Sequence, residues 1–170
     1  ANKLYLIRNH GLKNRNNVEI FGYNSRLDTI QAAVANYKMK NKLDNITNKR
    51  IRNSKLLDKL LSKNKNIITV PRLKYLKEVF HLYHINVKNL KIRNSLKNYL
   101  IKNNIDAKVH YPIPVHLQKA AKYLGYKKGD FPISEKLADT SLSLPVHEFI
   151  DKKHIYYMQK VITSFFNRKN

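Results

Sequence analysis

The nine residues HYPIPVHLQ (110–118) gather two histidines, a tyrosine and two of the chain's 5 prolines at one apolar turn. Imidazoles ligate metals, move protons and hydrogen-bond substrates, so a local pair of them asks for a chemical reading. Pro112 and Pro114 fix two backbone angles and remove two donors, which makes the segment stiff and extended. Such stiffness holds Tyr111 and His116 at set positions, so less entropy is lost when a ligand binds. A rigid strand-to-helix connector, with His116 near a helix start, has the same residues, and both readings stay open. A second cluster is GYNSRLD (22–28). Gly22 permits an unusual backbone angle, Tyr23 offers a stacking face, Asn24 two donors, and Arg26 a fork suited to phosphate at a helix start. The same residues describe a helix-entry loop with Asn24 as cap and Arg26 solvated, and composition alone favours that plainer reading.

Other chemistries find less support. His81 and His84 form H-x-x-H, but on a strand that spacing sends the side chains to opposite faces. His110 and His116 are separated by two prolines, and zinc wants three or four ligands at set spacing, so no metal is expected. Ser25, Ser134, Ser141 and Ser143 lack the elbow glycines of a nucleophilic serine. Only 4 glycines are present, none in a phosphate-cradling G-x-G-x-x-G loop. With no cysteine, disulfides, thiolate nucleophiles and Cys-based zinc sites are excluded.

The elements that must position these clusters follow from periodicity. Residues 3–10 read as a helix closed by Gly11, and 12–26 as a polar loop. Ile30, Ala33, Val34 and Tyr37, then Leu43, Ile46, Leu56, Leu57, Leu60 and Leu61, recur at threes and fours with no Pro or Gly between. One long helix over 28–66 is expected, with Asp28 in its opening turn. Short strands are expected at 66–71, 78–89 and 106–111, the second alternating Val79, His81, Tyr83, Ile85 and Val87 against its other face. Helices are expected at 91–105, at LQKAAKYLG before Gly125, from about Pro132 to a break at Pro145, and at 151–167. The tally is α/β: a small sheet flanked by helices and preceded by a long connecting helix.

The 170 residues, 42% of them hydrophobic, suffice for one globular domain. No apolar run reaches a membrane-spanning length and the first ten residues do not read as a signal peptide, which makes the cytoplasm the expected compartment. The net charge of +23 invites a second functional class, a small basic nucleic-acid-binding module. The lysines are scattered, however, and accompany abundant Asn, Ile and Tyr, a joint signature of A+T-rich coding. Non-specific affinity for nucleic acid follows from either origin, without a dedicated surface.

RNHGL (8–12), FGYNSRLDTIQAA (21–33), HYPIPVHLQ (110–118), YLGYKKGDFPISEKLA (123–138) and LSLPVHEFI (142–150) occur in this order along the whole chain. In these five linked motifs the sequence resembles the C-terminal portion of the DegT/StrS family of pyridoxal-phosphate-dependent sugar-nucleotide aminotransferases. The resemblance implies the small C-terminal domain of the aspartate aminotransferase superfamily fold. Residues 1–27 would end the large cofactor domain and include a loop that crosses the dimer, 28–66 would be the connecting helix, and 67–170 the small α/β domain.

The implied reaction moves an amino group, usually from glutamate, onto a keto-sugar carried by a nucleoside diphosphate, in amino-sugar or surface-polysaccharide biosynthesis. Asn24 would help hold the cofactor phosphate of the partner subunit in a homodimer, with Arg26 close by. Tyr111 and His116, together with His110, would line the sugar-nucleotide site. The HYP, HLQ and GDFPISE segments look most like members that aminate the 3-position of the sugar, though relatives that aminate the 4-position use similar loops. The family's Schiff-base lysine, and the Asp that pairs with the cofactor ring, belong to segments upstream of RNHGL. The chain is therefore expected to be the C-terminal piece of an enzyme, catalytically inert alone, with an apolar helix face left uncovered.

Overall fold

The chain divides into two units, Ala1–Asp44 and Asn45–Asn170. The computed structural model describes residues 1–14 and 17–168, with all side chains among them except those of residues 119 and 120. Residues 15 and 16, within the loop expected at 12–26, and the last two residues of the 67–170 segment lie outside the described residues.

In the first unit, α1 (Asn2–Arg8) ends because His10 and Gly11 take left-handed angles, φ 58° and 75°. The Gly11 N–H turns back to Leu6 O at 2.7 Å, so the reversal begins one residue before the expected Gly11 cap. Part of the expected polar loop is instead a small antiparallel hairpin, β1 (Leu12–Asn14) against β2 (Asn17–Val18). After it, Tyr23 N–H donates to Ile7 O and His10 N–H to Tyr23 O, and Asn9 bridges Asn24. The two glycines make this crossing possible. A Cβ on Gly11 would stand 1.5 Å from Ile20 O, and one on Gly22 2.5 Å from the Gly11 nitrogen.

The single helix expected over 28–66 is two helices, α2 (Thr29–Asn41) and α3 (Leu43–Leu61), with Lys42 out of helical geometry at φ −127°. The break coincides with a slip in the apolar stripe. The step from Tyr37 to Leu43 turns the stripe by about 240° at 100° per residue, so no single face runs through both. α2 buries nothing, whereas α3 buries Asn53, Ser54, Leu57 and Leu61.

In the second unit, β3 (Ile68–Thr69), β4 (Tyr83–Asn86) and β5 (Ser141–Leu144) form an antiparallel sheet in that order. Tyr83, Ile85 and Val87 point inward with Leu142 and Leu144. They meet Leu57 and Leu61 of α3, Leu96 and Leu100 of α4 (Leu90–Lys102), and Ile155, Met158, Val161 and Ile162 of α6 (Lys152–Asn167). The helices expected at 91–105 and 151–167 therefore both supply a face to the core. Asn89 caps α4 through Ile92 N–H, and Asp151 with His154 forms a capping box on α6.

The strand expectations shorten, each for a local reason. Of 78–89 only 83–86 is strand, because Phe80 is left-handed at φ 52° and Val79 and His81 are exposed. Ahead of β4, Arg72 forks onto Asp58 at 3.1 Å and reaches Glu78 at 2.8 Å, and it lies over the Phe80 and Tyr83 rings. The strand expected at 66–71 is only Ile68–Thr69. The strand expected at 106–111 is one bridge, Lys108 to Ser143. Antiparallel pairing would next oppose 106 to Pro145, which has no N–H to donate. The helix expected to run from 132 to 145 stops at Thr140 as α5 (Pro132–Thr140), and β5 follows at once. Gly125, at φ 77°, closes a 3-10 segment (Lys119–Leu124) where a short helix was expected.

Candidate functional site

In the first unit the crossing of residues 7–11 with 22–25 presents the GYNSR segment. Asn24 is fixed through its backbone bridge to Asn9 while its side chain is exposed, and Arg26 is exposed too. Arg26 lines an open concavity of about 720 Å³ together with Arg8, Lys13, Asn9 and Glu19. Glu19 sits 3.8 Å from Lys13, which leaves the two guanidiniums as the excess charge. Asp28 is the N-cap of α2 without a side-chain bond, so Asn24 does not serve as the cap. The two guanidiniums and the Asn9 amide around this concavity form a donor set that an anion fits.

In the second unit the sheet has a polar face. Residues 84 and 86 alternate with inward Tyr83 and Ile85, and 141 and 143 alternate with inward Leu142 and Leu144. Register opposes His84 to Ser143 and Asn86 to Ser141. Segment 109–118 passes over this face and leaves an open cavity of about 400 Å³, whose floor is His84, Asn86, Ser141 and Ser143. Its walls include Val109, Ile113, Pro114 and Val115, so the site is apolar with a few convergent polar groups, the usual make-up of a small-molecule pocket.

The expected substrate residues take different places there. His110 stands over the floor, its Nδ1 2.9 Å from Ser143 Oγ, and it also lines a neighbouring cavity of about 390 Å³. Tyr111 lies on the rim, largely exposed, its ring centroid 6.3 Å from that of His110. His116 is 9% exposed and turned away from this cavity. Its Nε2 is 3.1 Å from Glu135 Oε1 and its ring packs on Phe131 at 4.8 Å. Glu135 Oε1 also accepts from Gly129 N–H at 2.7 Å, and that bond, then His116, holds the carboxyl below its ordinary range. His110 and Tyr111 are thus brought together at the cavity, while His116 clasps the following loop to α5. Gln118 ties the loop to itself through Ile113 O.

Sequence reading missed the floor. His84 was considered only as half of H-x-x-H, and the serines only as nucleophiles. The signal was present in the alternation of H-I-N and S-L-S, which marks one polar strand face. Burial lowers the His84 pKa, and His110 and Arg72 add to the effect, so its neutral form is favoured. Among the described residues no group of three or more His, Cys, Asp or Glu is placed to hold a metal ion. No described helix is long and apolar enough to cross a membrane.

The model of the DegT/DnrJ/EryC1/StrS aminotransferase family matches residues 1–165. A pleiotropic regulatory protein of Geobacillus stearothermophilus is 34% identical over 98% of the chain. The dTDP-3-amino-3,6-dideoxy-alpha-D-galactopyranose transaminase of Aneurinibacillus thermoaerophilus is 29% identical over 97% of it. Among solved structures, S. venezuelae DesV in complex with a ketimine intermediate superposes with a TM-score of 0.86 at 27% identity, over 99% of the chain. The chain spans 44% of the length of each of these three proteins.

Proposed function

Because the chain belongs to the DegT/DnrJ/EryC1/StrS aminotransferase family, we propose that it is the C-terminal part of a pyridoxal-phosphate-dependent sugar-nucleotide aminotransferase. The complete protein transfers an amino group, from glutamate, to a keto-sugar on a nucleoside diphosphate, and the product enters amino-sugar or surface-polysaccharide synthesis. The observation that carries this reading is the polar-floored cavity beneath the His110–Tyr111 loop, in a chain the family matches almost from end to end. On this reading residues 1–27 end the large domain, 28–66 connect, and 67–170 form the small domain of a cytoplasmic homodimer.

Within it, Asn24 and Arg26 bind the cofactor phosphate of the partner subunit, a role supported by their exposure and by the cationic concavity around Arg26. When bound, pyridoxal phosphate would supply the carbonyl carbon that carries the amino group between donor and acceptor and the ring that withdraws electrons from it. His110 and Tyr111 bind the nucleotide sugar directly. His116 acts on the substrate through the loop, since Glu135 and Phe131 hold its ring. A loop so held is pre-organised, and less entropy is lost when substrate docks.

The test uses the complete protein. Asn24→Ala and Arg26→Ala are expected to lose cofactor on gel filtration, read from the absorbance of bound pyridoxal phosphate. His110→Ala and His116→Ala are expected to raise the KM for the sugar nucleotide, with cofactor content unchanged. Absence of any glutamate-dependent amination of nucleotide-linked keto-sugars by the parent protein overturns the reading.

A further inference from the structure

The polar floor of the cavity belongs to the sheet and not to the loop above it, and its hydrogen-bond inventory is specific. Ser143 has one hydroxyl proton and two imidazole nitrogens beside it, His110 Nδ1 at 2.9 Å and His84 Nδ1 at 3.0 Å. With both rings neutral, the hydroxyl donates to one Nδ1 while the other ring's Nδ1–H donates to Oγ. The first ring then carries its proton on Nε2 and the second has a bare Nε2. The pair therefore always offers one donor and one acceptor at its outer nitrogens, and reversing the hydroxyl exchanges them. A ligand hydroxyl is donor and acceptor at once and suits either arrangement. A phosphate oxygen only accepts, and needs an added proton on the pair to meet two donors. That proton is disfavoured at His84, which is partly buried and faces His110 and Arg72.

Asn86 supplies a fixed donor beside this reversible pair. Its Oδ1 accepts from Ser141 Oγ at 2.7 Å. Thr140 has one hydroxyl proton, and Lys136 O at 2.8 Å takes it, which leaves the 3.3 Å contact with Asn86 secondary. The network thus places the Asn86 amide nitrogen, with two donors and no partner among the described residues, at the cavity floor. A fixed donor next to a pair that gives and takes matches neighbouring oxygens of a polyhydroxylated ring.

We propose that the cross-strand ladder His84–Ser143 and Asn86–Ser141 is the sugar subsite of the cavity, and that His84 and Asn86 select among nucleotide-linked sugars by the placement of ring oxygens. This rests on the reading of the chain as part of a sugar-nucleotide enzyme and adds to it the residues that recognise the sugar. The His110–Tyr111 loop then meets the rest of the ligand, and β4 and β5 meet the ring.

The experiment is calorimetric titration of the complete, cofactor-loaded protein with UDP, dTDP, UDP-N-acetylglucosamine and dTDP-glucose. His84→Val and Asn86→Val keep strand-compatible shapes and remove the donors and acceptors. Asn86→Asp keeps an oxygen that accepts from Ser141 and replaces the free amide with a charged oxygen. It reports on the ligand even where the valine variants melt early, with the bare nucleotide as the control for the added charge. Each variant is expected to weaken the better-bound nucleotide sugar by about tenfold or more, since a site built to hydrogen-bond a hydroxyl loses that much when its partner is removed. Affinity for the bare nucleotide is expected to stay within about twofold in the valine variants, and in Asn86→Asp to fall by less than affinity for the nucleotide sugar. Unchanged affinity for the nucleotide sugar, or an equal loss for the bare nucleotide, overturns the proposal. A parent protein that binds neither nucleotides nor nucleotide sugars overturns the functional reading itself, an outcome distinct from both.

Discussion

The two units carry candidate sites of opposite physical character. In Asn45–Asn170 the site rests on a closed core: Leu57, Ile85, Leu96, Leu100, Leu142, Ile155 and Ile162 are all fully buried, and the cavity floor is the reverse face of the same two strands. In Ala1–Asp44 neither α1 nor α2 buries a residue, and Phe21 is 101% and Ile30 80% exposed. There the conformation of the GYNSR segment is set by backbone bonds and by two glycines that cross, not by side-chain burial. A site on a packed sheet takes its geometry from the core beneath it. A site on a backbone crossing with bare apolar flanks takes its final environment from whatever covers those flanks, which on the proposed reading is the rest of the dimer.

That contrast is open to direct attack. Leu100→Ala should destabilise the chain by about 2–5 kcal/mol in urea unfolding, because a fully buried leucine leaves a cavity; a smaller change would mean that the core of the second unit does not carry its stability. Tyr83→Phe removes the 2.7 Å bond from the Tyr83 hydroxyl to Asp58. Arg72 still pairs with that carboxylate, so a loss of only about 1 kcal/mol is expected, read in the same assay.

The Glu135 clasp should respond to acid. Its carboxyl sits below the ordinary carboxylate range, chiefly through Gly129 N–H, so the contact is fully present above that range and lost as pH falls through the lowered value. The Gly129 amide shift in NMR should move over that acid range, and Glu135→Gln should abolish the movement. Smallest of all, Ile30→Ala should change unfolding of the chain by less than about 0.5 kcal/mol, since the side chain is already in water. A loss comparable to that of Leu100→Ala would erase the distinction between the two units.

Much of the scaffold was legible because it is local. The terminal helix with Ile155, Met158, Val161 and Ile162 inward, the α4 stripe, and the left-handed turn at Gly125 each follow from spacing within a dozen residues. The long helix was misread because a run without Pro or Gly hides a slip of the apolar stripe at residues 37–43. The strand at 78–89 was overextended because its apparent alternation continues into a segment that Arg72 instead gathers onto Asp58, 14 residues away. β5 was absorbed into a helix because four residues of S-L-S-L are too few to announce a strand by themselves.

The sequence by itself determined the family, through five motifs in fixed order. It also determined the stiffness of the 110–118 loop, since proline acts on its own backbone wherever it stands. What only the tertiary structure decided is which residues share a surface. His116 turns to Glu135, 19 positions on, and His84, Asn86, Ser141 and Ser143 become one floor through a register that pairs residues more than fifty apart. Hydrogen bonds are specified by distance in space, and sequence fixes that distance only where the chain is short.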